Sequence, residues 1–171
     1  MTCDQCGARM TITHENHLYR DSGLDHVTLL GHEIRRCRAC GYDEQVYHRL
    51  GPLHRSIALA IARKPAPLAA SEIRFLRAWM GWSGKDFAAH MGAAAATVSR
   101  WERGRLAMGA TADRLLRLIA VREADEHDYP LEAWKHLGRD RQPLSLTVDT
   151  RTLSAAWLPR NPRSKPRIRM G

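Results

Sequence analysis

The sequence predicts an α+β fold of two domains, a small N-terminal domain of short strands with one helix and an all-α domain of five helices. Three observations support this prediction. All four cysteines lie within the first forty of the 171 residues, in a region with too few apolar residues to fold without a covalent or metal staple. From Ser71 onward, apolar residues recur at helical spacing between glycines. Between these regions, the segment KPAPLA contains two prolines and is typical of a linker.

The N-terminal region is predicted to contain short strands separated by turns. One strand is expected at residues 11–19, and the segments HVTLLG and EIRRC supply further strands. Residues 53–63, with the sequence LHRSIALAIAR, are expected to form a short helix that the prolines stop. We therefore assign the first domain to residues 1–64 and the linker to residues 65–70.

Five short helices are predicted after the linker, each marked by a capping residue, a proline or a glycine. Ser71, Ser83 and Thr111 are suitable N-caps for the first, second and fourth helices. Gly104 is suited to the left-handed residue that ends the third helix. Pro130 lies in the first turn of the fifth, where its missing N–H costs nothing.

The helical domain is assigned to residues 71–138 and a C-terminal extension to residues 139–171. Within the extension, LSLTVD is a candidate strand, TLSAAWLP is a candidate strand or docked turn, and the tail from about residue 160 is basic. Residues 135–171 contain nine Lys or Arg against two Asp, and the whole chain has a net charge of +9. This excess indicates a polyanionic partner.

The composition also predicts where the protein works. The sequence has no apolar run long enough for a transmembrane helix. The first residues lack the apolar stretch of a signal peptide. We therefore expect no membrane partner and a cytoplasmic, nucleoid-associated protein.

The cysteines form two copies of the pattern C-x-x-C-G, CDQCG and CRACG. Each copy has the form of a zinc knuckle, in which the glycine adopts a positive φ and lets backbone amides point at sulfur. Together the knuckles predict one structural Zn²⁺ in a closed four-thiolate sphere, within a zinc-ribbon-like domain. The predicted ligands are Cys3, Cys6, Cys37 and Cys40. A redox dithiol pair and disulfides are the alternatives, and both are less compatible with the paired glycines.

The histidines between the two knuckles could also bind metal in principle. They are His14, His17, His26 and His32. Because four thiolates already complete a tetrahedral sphere, we expect these histidines to lie at the surface or to form hydrogen bonds.

Residues 84–103 match a helix-turn-helix at each position that the motif restricts. Ala88 is small where the two helices cross, Gly92 supplies the turn, and Val98 and Trp101 are suited to the core of the second helix. Such a motif inserts its second helix into the DNA major groove. The sequence therefore predicts a DNA-binding protein.

Arg100 is the residue expected to read a base, because its guanidinium can donate two hydrogen bonds to guanine. The other outward positions of that helix are Ala95, Ala96, Thr97 and Ser99. Alanine methyls can pack on thymine methyls, although the alanine run is also compatible with a helix that approaches DNA without reading it. Backbone contacts to phosphate are expected from Ser83, Lys85 and Arg105.

Residues 73–118 resemble the Xre/Cro-type helix-turn-helix, most clearly in the stretch SRWERG at residues 99–104. The resemblance implies a structural salt bridge between Arg77 and Glu102. The order of two CxxCG knuckles followed by this motif is similar to the MqsA antitoxin family, a YgiT-type zinc finger joined to an Xre domain, over about residues 1–125. Two features depart from that family: Ala96 stands where an Asn is frequent, and the chain extends further at its C-terminus.

The resemblance implies a homodimer that binds a palindromic operator and represses its own operon as the antitoxin of a type II toxin–antitoxin system. It also implies that the zinc domain binds and inhibits a toxin RNase. The alternative is a stand-alone zinc-containing transcription regulator without a toxin partner. No phosphate-binding loop, HExxH motif or paired carboxylates are present in the sequence, so we do not expect an enzyme.

Overall fold

The computed structural model describes residues 1–125, 137 and 144–159. Five strands and five helices lie in these ranges, with one 3₁₀ turn at Arg20–Ser22. In chain order the elements are β1 (Met10–Leu18), β2 (Val27–Cys37), β3 (Asp43–Val46), α1 (Leu50–Arg63), α2 (Ala70–Trp79), α3 (Gly84–His90), α4 (Ala95–Glu102), α5 (Ala110–Glu123), β4 (Leu144–Asp149) and β5 (Ala155–Pro159).

The five strands form one mixed sheet around β2. β1 pairs antiparallel along one edge of β2. The other edge is shared, because β3 pairs antiparallel with residues 33–36 and β4 pairs in parallel with residues 27–30. β5 extends the sheet as the antiparallel partner of β4. The C-terminal hairpin is therefore part of the same sheet as the N-terminal strands.

The fold is α+β, as expected, but the prediction of an all-α C-terminal part with a separate extension is wrong. Leu146 and Val148 of β4 are fully buried next to Val27 and Leu29 of β2. A strand that contributes its apolar side chains to this core belongs to the N-terminal sheet, however far away it lies in sequence. Apart from Leu137, the predicted fifth helix and the basic tail lie outside the described residues.

A β-bulge at Gly31 explains why the sequence suggested two strands where the structure has one. Gly31 has a φ of 65°, a conformation that favours glycine, and the β1–β2 register is irregular opposite it. Before the bulge Val27 and Leu29 face the core, whereas after it His32 and Ile34 are buried. The extra residue shifts the alternation in the sequence by one, so Leu29, His32 and Ile34 lie on the same face of β2.

Helix α1 lies between the sheet and the other helices, and it contacts α2, α5, β4 and β5. Ile57 and Ile61 on this helix are completely buried. They belong to one cluster of buried residues, called the main core below, which includes side chains of β2, β4 and all five helices. Burying such side chains contributes about 2 kcal/mol each, so the sheet and the helices stabilise one another.

The proline-containing segment after α1 is fixed to α5 by a buried arginine. Arg117 is completely buried and donates to the carbonyls of Lys64 at 2.6 Å and Ala66 at 2.7 Å. Its Nε lies 2.5 Å from Asp113, whose other carboxylate oxygen accepts from the amide of Leu68. The positive charge therefore satisfies carbonyls that would otherwise be left without donors at the end of α1.

Ser71 is not the N-cap of the first helix of the helical region, and Glu72 stabilises the start of that helix instead. The helix begins at Ala70, and the buried Glu72 carboxylate accepts from the amide of Ala69 at 2.7 Å. The same carboxylate lies 2.5 Å from Lys64 and 3.3 Å from Nε2 of His26. The predicted Ser71 cap is wrong because Ala69 is the N-cap residue, which places Ser71 inside the helix. Glu72, in the first turn, reaches back to the amide of that N-cap residue.

Candidate metal centre and nucleic-acid interface

The two cysteine knuckles have the same pattern of backbone hydrogen bonds. In the first, Gly7 N donates to Cys3 O at 2.8 Å and Cys3 N donates to Ala8 O at 2.8 Å. In the second, Gly41 N donates to Cys37 O at 2.9 Å and Cys37 N donates to Tyr42 O at 2.8 Å. The closing glycines have φ values of 71° and 75°. Each C-x-x-C-G sequence is therefore a tight turn that a residue with a Cβ would strain.

The knuckles bring the four cysteines together, as the sequence predicted. Cys3 Sγ lies 3.7 Å from Cys40 Sγ, and Cys6 Sγ lies 3.4 Å from Cys37 Sγ. All four sulfurs lie within 4.8 Å of one another. A tetrahedral ion with metal–sulfur bonds of about 2.3 Å separates its ligands by about 3.8 Å. The cluster therefore fits a tetrahedral metal ion, and it is a candidate metal site.

The surroundings of Cys37 favour the thiolate form that binds metal, whereas the thiol pKa values of Cys6 and Cys40 are raised. The amides of Ala8 and Tyr42 lower these two pKa values, but hydrogen bonds with neighbouring thiols raise them further. The backbone amide of Cys40, assisted by the Cys6 thiol and the amide of Ala39, lowers the pKa of the Cys37 thiol to about 6. Cys3 and Cys37 are buried, and they pack with Met10 in a small cluster separate from the main core. Cys6 and Cys40 are exposed, so one side of the candidate site faces solvent.

Within the described residues, the sulfur cluster is the one group of side chains arranged to hold a metal, and it includes no histidine. His17 stacks on His32 with ring centroids 5.2 Å apart. His26 lies against Trp157 and close to Glu72, and His14 is exposed. His14 lies at the surface as expected, whereas His32 is buried and its Nε2 has no hydrogen-bond partner among the described residues.

Helices α3 and α4 coincide with the two helices of the predicted motif, and they contact each other. Ala88 and Val98 are buried, Gly92 has a φ of 58°, and Trp101 is 8% exposed. Ser83 caps α3 as predicted, since its hydroxyl accepts from the amide of Asp86 at 3.2 Å. The apolar face of α4 is thereby fixed to the main core, while the opposite face remains at the surface.

The residues predicted to contact DNA are exposed or half-buried. Arg100, Ala95 and Ala96 are exposed along α4, and Thr97 and Ser99 are half-buried. Ser83, Lys85 and Arg105, the predicted phosphate contacts, are exposed as well. The Ser83 hydroxyl also donates to Asp86 at 2.6 Å, and this hydrogen bond holds the pKa of the Asp86 carboxyl below its ordinary value.

The ion pair implied for Arg77 and Glu102 is present in the structure, with Nε 2.5 Å from Oε1. Arg77 also donates to the carbonyl of Trp82 at 2.8 Å. Arg74, one turn earlier on α2, donates to the backbone carbonyl of Glu102. These contacts join α2 to the C-terminal end of α4, so they fix the direction in which α4 points.

Two cations beside α4 were not singled out from the sequence. Arg103 is exposed at the C-cap of α4, and Arg74 is exposed on α2. The three-residue spacing of Arg74 and Arg77 places them on the same face of α2. This spacing is the signal that could have predicted that both contact Glu102.

When the chain was compared with protein-family models, with curated proteins and with solved structures, none of the three comparisons found a match. Among the described residues, no helix has the length and apolarity needed to span a bilayer. The functional assignment therefore depends on the chemistry of the two sites.

Proposed function

We propose that the protein binds specific DNA sequences by inserting α4 into the major groove. The observation that carries this proposal is Arg100, an exposed guanidinium on a helix that is fixed on its other side. Val98 and Trp101 anchor α4 in the main core, and Arg77 pairs with Glu102 at its end. A rigid helix with an exposed arginine is suited to a bidentate contact with guanine.

The surroundings of Arg100 explain how a helix poor in hydrogen-bonding side chains can serve this purpose. The first turn of α4 presents Ala95 and Ala96 to solvent, so the backbone can approach the base edges closely. Lys85 and Arg105 flank the motif as exposed cations. Such cations supply the sequence-independent part of the affinity by contacting phosphate.

The metal in this proposal is one structural Zn²⁺. Four thiolates form a complete tetrahedral sphere, the coordination that zinc adopts in structural sites. Cys3, Cys6, Cys37 and Cys40 would hold the ion, which would cross-link the two knuckles. The chemistry supplied is structural, because four protein ligands leave no coordination position for a substrate.

A narrower proposal is an autorepressing antitoxin that acts as a homodimer on a palindromic operator and inhibits a toxin RNase. It rests on the order of two knuckles and a helix-turn-helix. The knuckles pack in their own small cluster, apart from the core that supports α4. This separation would let another protein contact the knuckles while α4 contacts DNA. A stand-alone regulator remains the alternative.

The DNA-binding proposal is tested by selecting bound sequences from a random DNA pool with the zinc-loaded chain. We expect the native chain to select a preferred sequence. Arg100→Ala should abolish the preference at one G·C pair of that sequence and weaken binding by about 1–3 kcal/mol. Arg122→Ala, a change at an exposed position on α5, should leave the selected sequence unchanged. Selection of no sequence, or an identical preference with Arg100→Ala, would refute the placement of α4.

The same selection separates the narrower proposals from each other. A dimer on a palindrome should yield two half-sites one helical turn apart, or a multiple of it. Antitoxin activity further requires a stable complex with the protein encoded next to this chain in the genome. A DNA-binding dimer without such a complex would leave the stand-alone regulator.

A further inference from the structure

A continuous row of aromatic rings joins the sheet to α1. In spatial order its members are His17 of β1, His32 of β2, Tyr47 after β3, Tyr19 after β1 and His54 of α1. Successive ring centroids lie 5.2, 4.8, 5.2 and 5.9 Å apart. We call these five residues the histidine row. It contains no cysteine and no residue of α4, so it is distinct from both sites described above.

Both ends of the histidine row are held by specific contacts. At the α1 end, Tyr19 Oη lies 2.8 Å from Nε2 of His54, and the ring of Phe75 on α2 meets His54 edge-on with centroids 5.6 Å apart. At the other end, the rings of His17 and His32 stack with their planes 28° apart. His32 and Tyr19 are each 2% exposed. The row therefore runs from an edge strand through the interior to the helices.

The row crosses β2 where this strand has the least backbone support. Gly31, in the bulge, has no strand partner at either edge among the described pairings. The β1–β2 register is irregular opposite it, while β4 pairs with residues 27–30 and β3 with residues 33–36. The ring contacts of His32, next to Gly31, therefore hold a part of the sheet that backbone pairing leaves open.

The buried rings of the row favour neutral histidine. Burial lowers the pKa of His17, His32 and His54, because a charged ring is poorly solvated inside the protein. An ordinary histidine has a pKa of about 6.5, so the three rings are neutral at pH 7. Burial raises the pKa of Tyr19 and Tyr47, and these rings are therefore neutral as well.

Two carboxylates face the row, Asp21 beside His17 and Glu33 beside His32. Asp21 raises the pKa of His17, and Glu33 raises that of His32, but in both cases burial has the larger effect. Asp21 also accepts a hydrogen bond from Tyr47 Oη at 3.0 Å. Neither carboxylate therefore compensates a proton on the stacked rings.

The remaining groups around His32 are polar or positively charged. The amide of Gln45 raises the pKa of His32, and His48 and His17 lower it. Glu33 is already shared, because its carboxylate lies 2.9 Å from Arg35 Nε and 2.8 Å from His48 Nε2. The other titratable or charged groups in the wall that includes His32 and Tyr47 are His14, Arg49 and Arg151, and Arg151 is paired with Asp149.

We propose that the histidine row is an acid-sensitive switch, in which neutral rings hold the bulge of β2 and the adjoining ends of β1 and β3 against α1, and proton binding opens this part of the sheet. The opened state binds protons more tightly, because its histidines have the ordinary pKa of about 6.5. The contribution of the row to stability is therefore complete above about pH 6.5 and is lost as the pH falls below it. This switch would exist whether or not the chain binds DNA.

The test is an NMR titration of the zinc-loaded full chain between pH 7.5 and 5.5. The ring nitrogens of His17, His32 and His54 should stay neutral to a lower pH than the histidines of the chain unfolded in urea. Over the same range, hydrogen-exchange protection should fall at residues 17–19 and 45–47, while the amides of α4 keep theirs.

His17→Gln separates the row from other acid-sensitive groups. In the native chain, the equilibrium constant for unfolding should rise between pH 7.5 and 5.5, by up to about tenfold for each histidine of the row. Without the His17 ring, this rise should be at least about threefold smaller. The control His14→Gln, at an exposed position on the same strand, should behave like the native chain. Acid also weakens metal binding by thiolates, but the metal site is the same in all three proteins.

Three results would overturn the proposal. One is that the rings of the row titrate at the same pH as in the unfolded chain. Another is that His17→Gln is as acid-sensitive as the native chain. The third is that α4 loses protection to the same extent as residues 17–19, because acid would then destabilise the whole molecule and not this part of the sheet.

Discussion

Arg117 shows at the scale of a single residue how a buried charge can hold a chain segment in place. Its guanidinium connects α5 to the carbonyls that follow α1, and Asp113 balances its charge. Arg117→Met keeps an unbranched apolar stem but lacks the guanidinium, so it leaves the Asp113 carboxylate buried without its partner. We expect a loss of about 3–5 kcal/mol in the free energy of unfolding, measured by urea denaturation.

The control for this prediction is Arg122→Met, on the same helix at an exposed position. It should change the free energy of unfolding by no more than about 0.5 kcal/mol. Similar effects of the two substitutions would mean that the buried pair contributes no more than a surface charge.

Gly41 provides a second prediction at the residue scale. Its φ of 75° closes the knuckle that contains Cys37 and Cys40, and a Cβ there would meet nothing within 4 Å. Backbone strain is therefore the whole cost of Gly41→Ala, about 1–2 kcal/mol. Because metal binding requires the closed knuckle, we expect zinc affinity to fall by roughly tenfold in competition with a chromophoric chelator.

The matched substitution for Gly41→Ala is Gly51→Ala. Gly51 lies in the first turn of α1, where an added Cβ is also free of contacts, and alanine is the better helix former. This variant should retain native zinc affinity and have equal or higher stability. Equal zinc affinities for the two variants would contradict the argument that positive φ makes Gly41 necessary.

At the scale of elements, the knuckles are held by a small cluster of their own, whereas most of β2 contributes to the main core. Because the first forty residues contain few apolar side chains, the sequence alone predicts that metal removal unfolds residues 1–50. The structure changes this expectation, because Val27 and Leu29 are fully buried against the helices and β4. Only the knuckle turns depend on the sulfur cluster alone.

Chelation should therefore release the knuckles and leave the sheet intact. In hydrogen exchange after treatment with EDTA, we expect amides of residues 1–9 and 38–42 to lose protection. Amides of residues 27–30 and of α4 should keep theirs, and DNA affinity should stay within about twofold. Exchange throughout β2, or loss of DNA binding, would show that the metal stabilises the whole molecule.

Helix caps illustrate how far local sequence determines an element. Ser83 caps α3 as predicted, because the local pattern of Ser followed three residues later by Asp is sufficient. Ser71 and Thr111 do not cap, since α2 begins at Ala70 and α5 follows Gly109. In α2, the deciding partners of Glu72 are Lys64 and His26, and His26 is distant in sequence.

At the scale of the whole molecule, the sequence predicted the knuckles and the positions of α3 and α4 but not how the two parts join. Cysteine spacing and the positions of Ala88, Gly92 and Val98 are short-range signals, and each predicts local geometry. The partner of LSLTVD could not be predicted, because β4 pairs in parallel with a strand more than a hundred residues earlier and no local pattern specifies such long-range pairing. Likewise, the two prolines predicted that α1 ends near residue 64, but they did not show that Arg117 holds the segment after α1 in place.

The C-terminal hairpin is predicted to be necessary for the N-terminal sheet. Leu146 and Val148 are fully buried, and Trp157 donates from its ring nitrogen to the carbonyl of Ala60 on α1 at 2.7 Å. A chain that ends at residue 143 would expose the edge of β2 at residues 27–30 and the apolar face of α1. Removing two buried aliphatic side chains alone costs about 4 kcal/mol or more, a large fraction of the stability of a small protein.

Two truncations test this prediction directly. A chain ending at residue 143 should melt at a much lower temperature and should lose hydrogen-exchange protection in β2 as well as in α1. A chain ending at residue 159 keeps β5 and should melt like the native protein, although it has lost the basic tail and with it part of any salt-dependent DNA affinity. Equal melting of the two truncated chains would mean that β4 and β5 lie on a core that is already complete. Because a folded domain of residues 1–64 would not need the hairpin, the comparison also decides whether the zinc-binding part folds by itself.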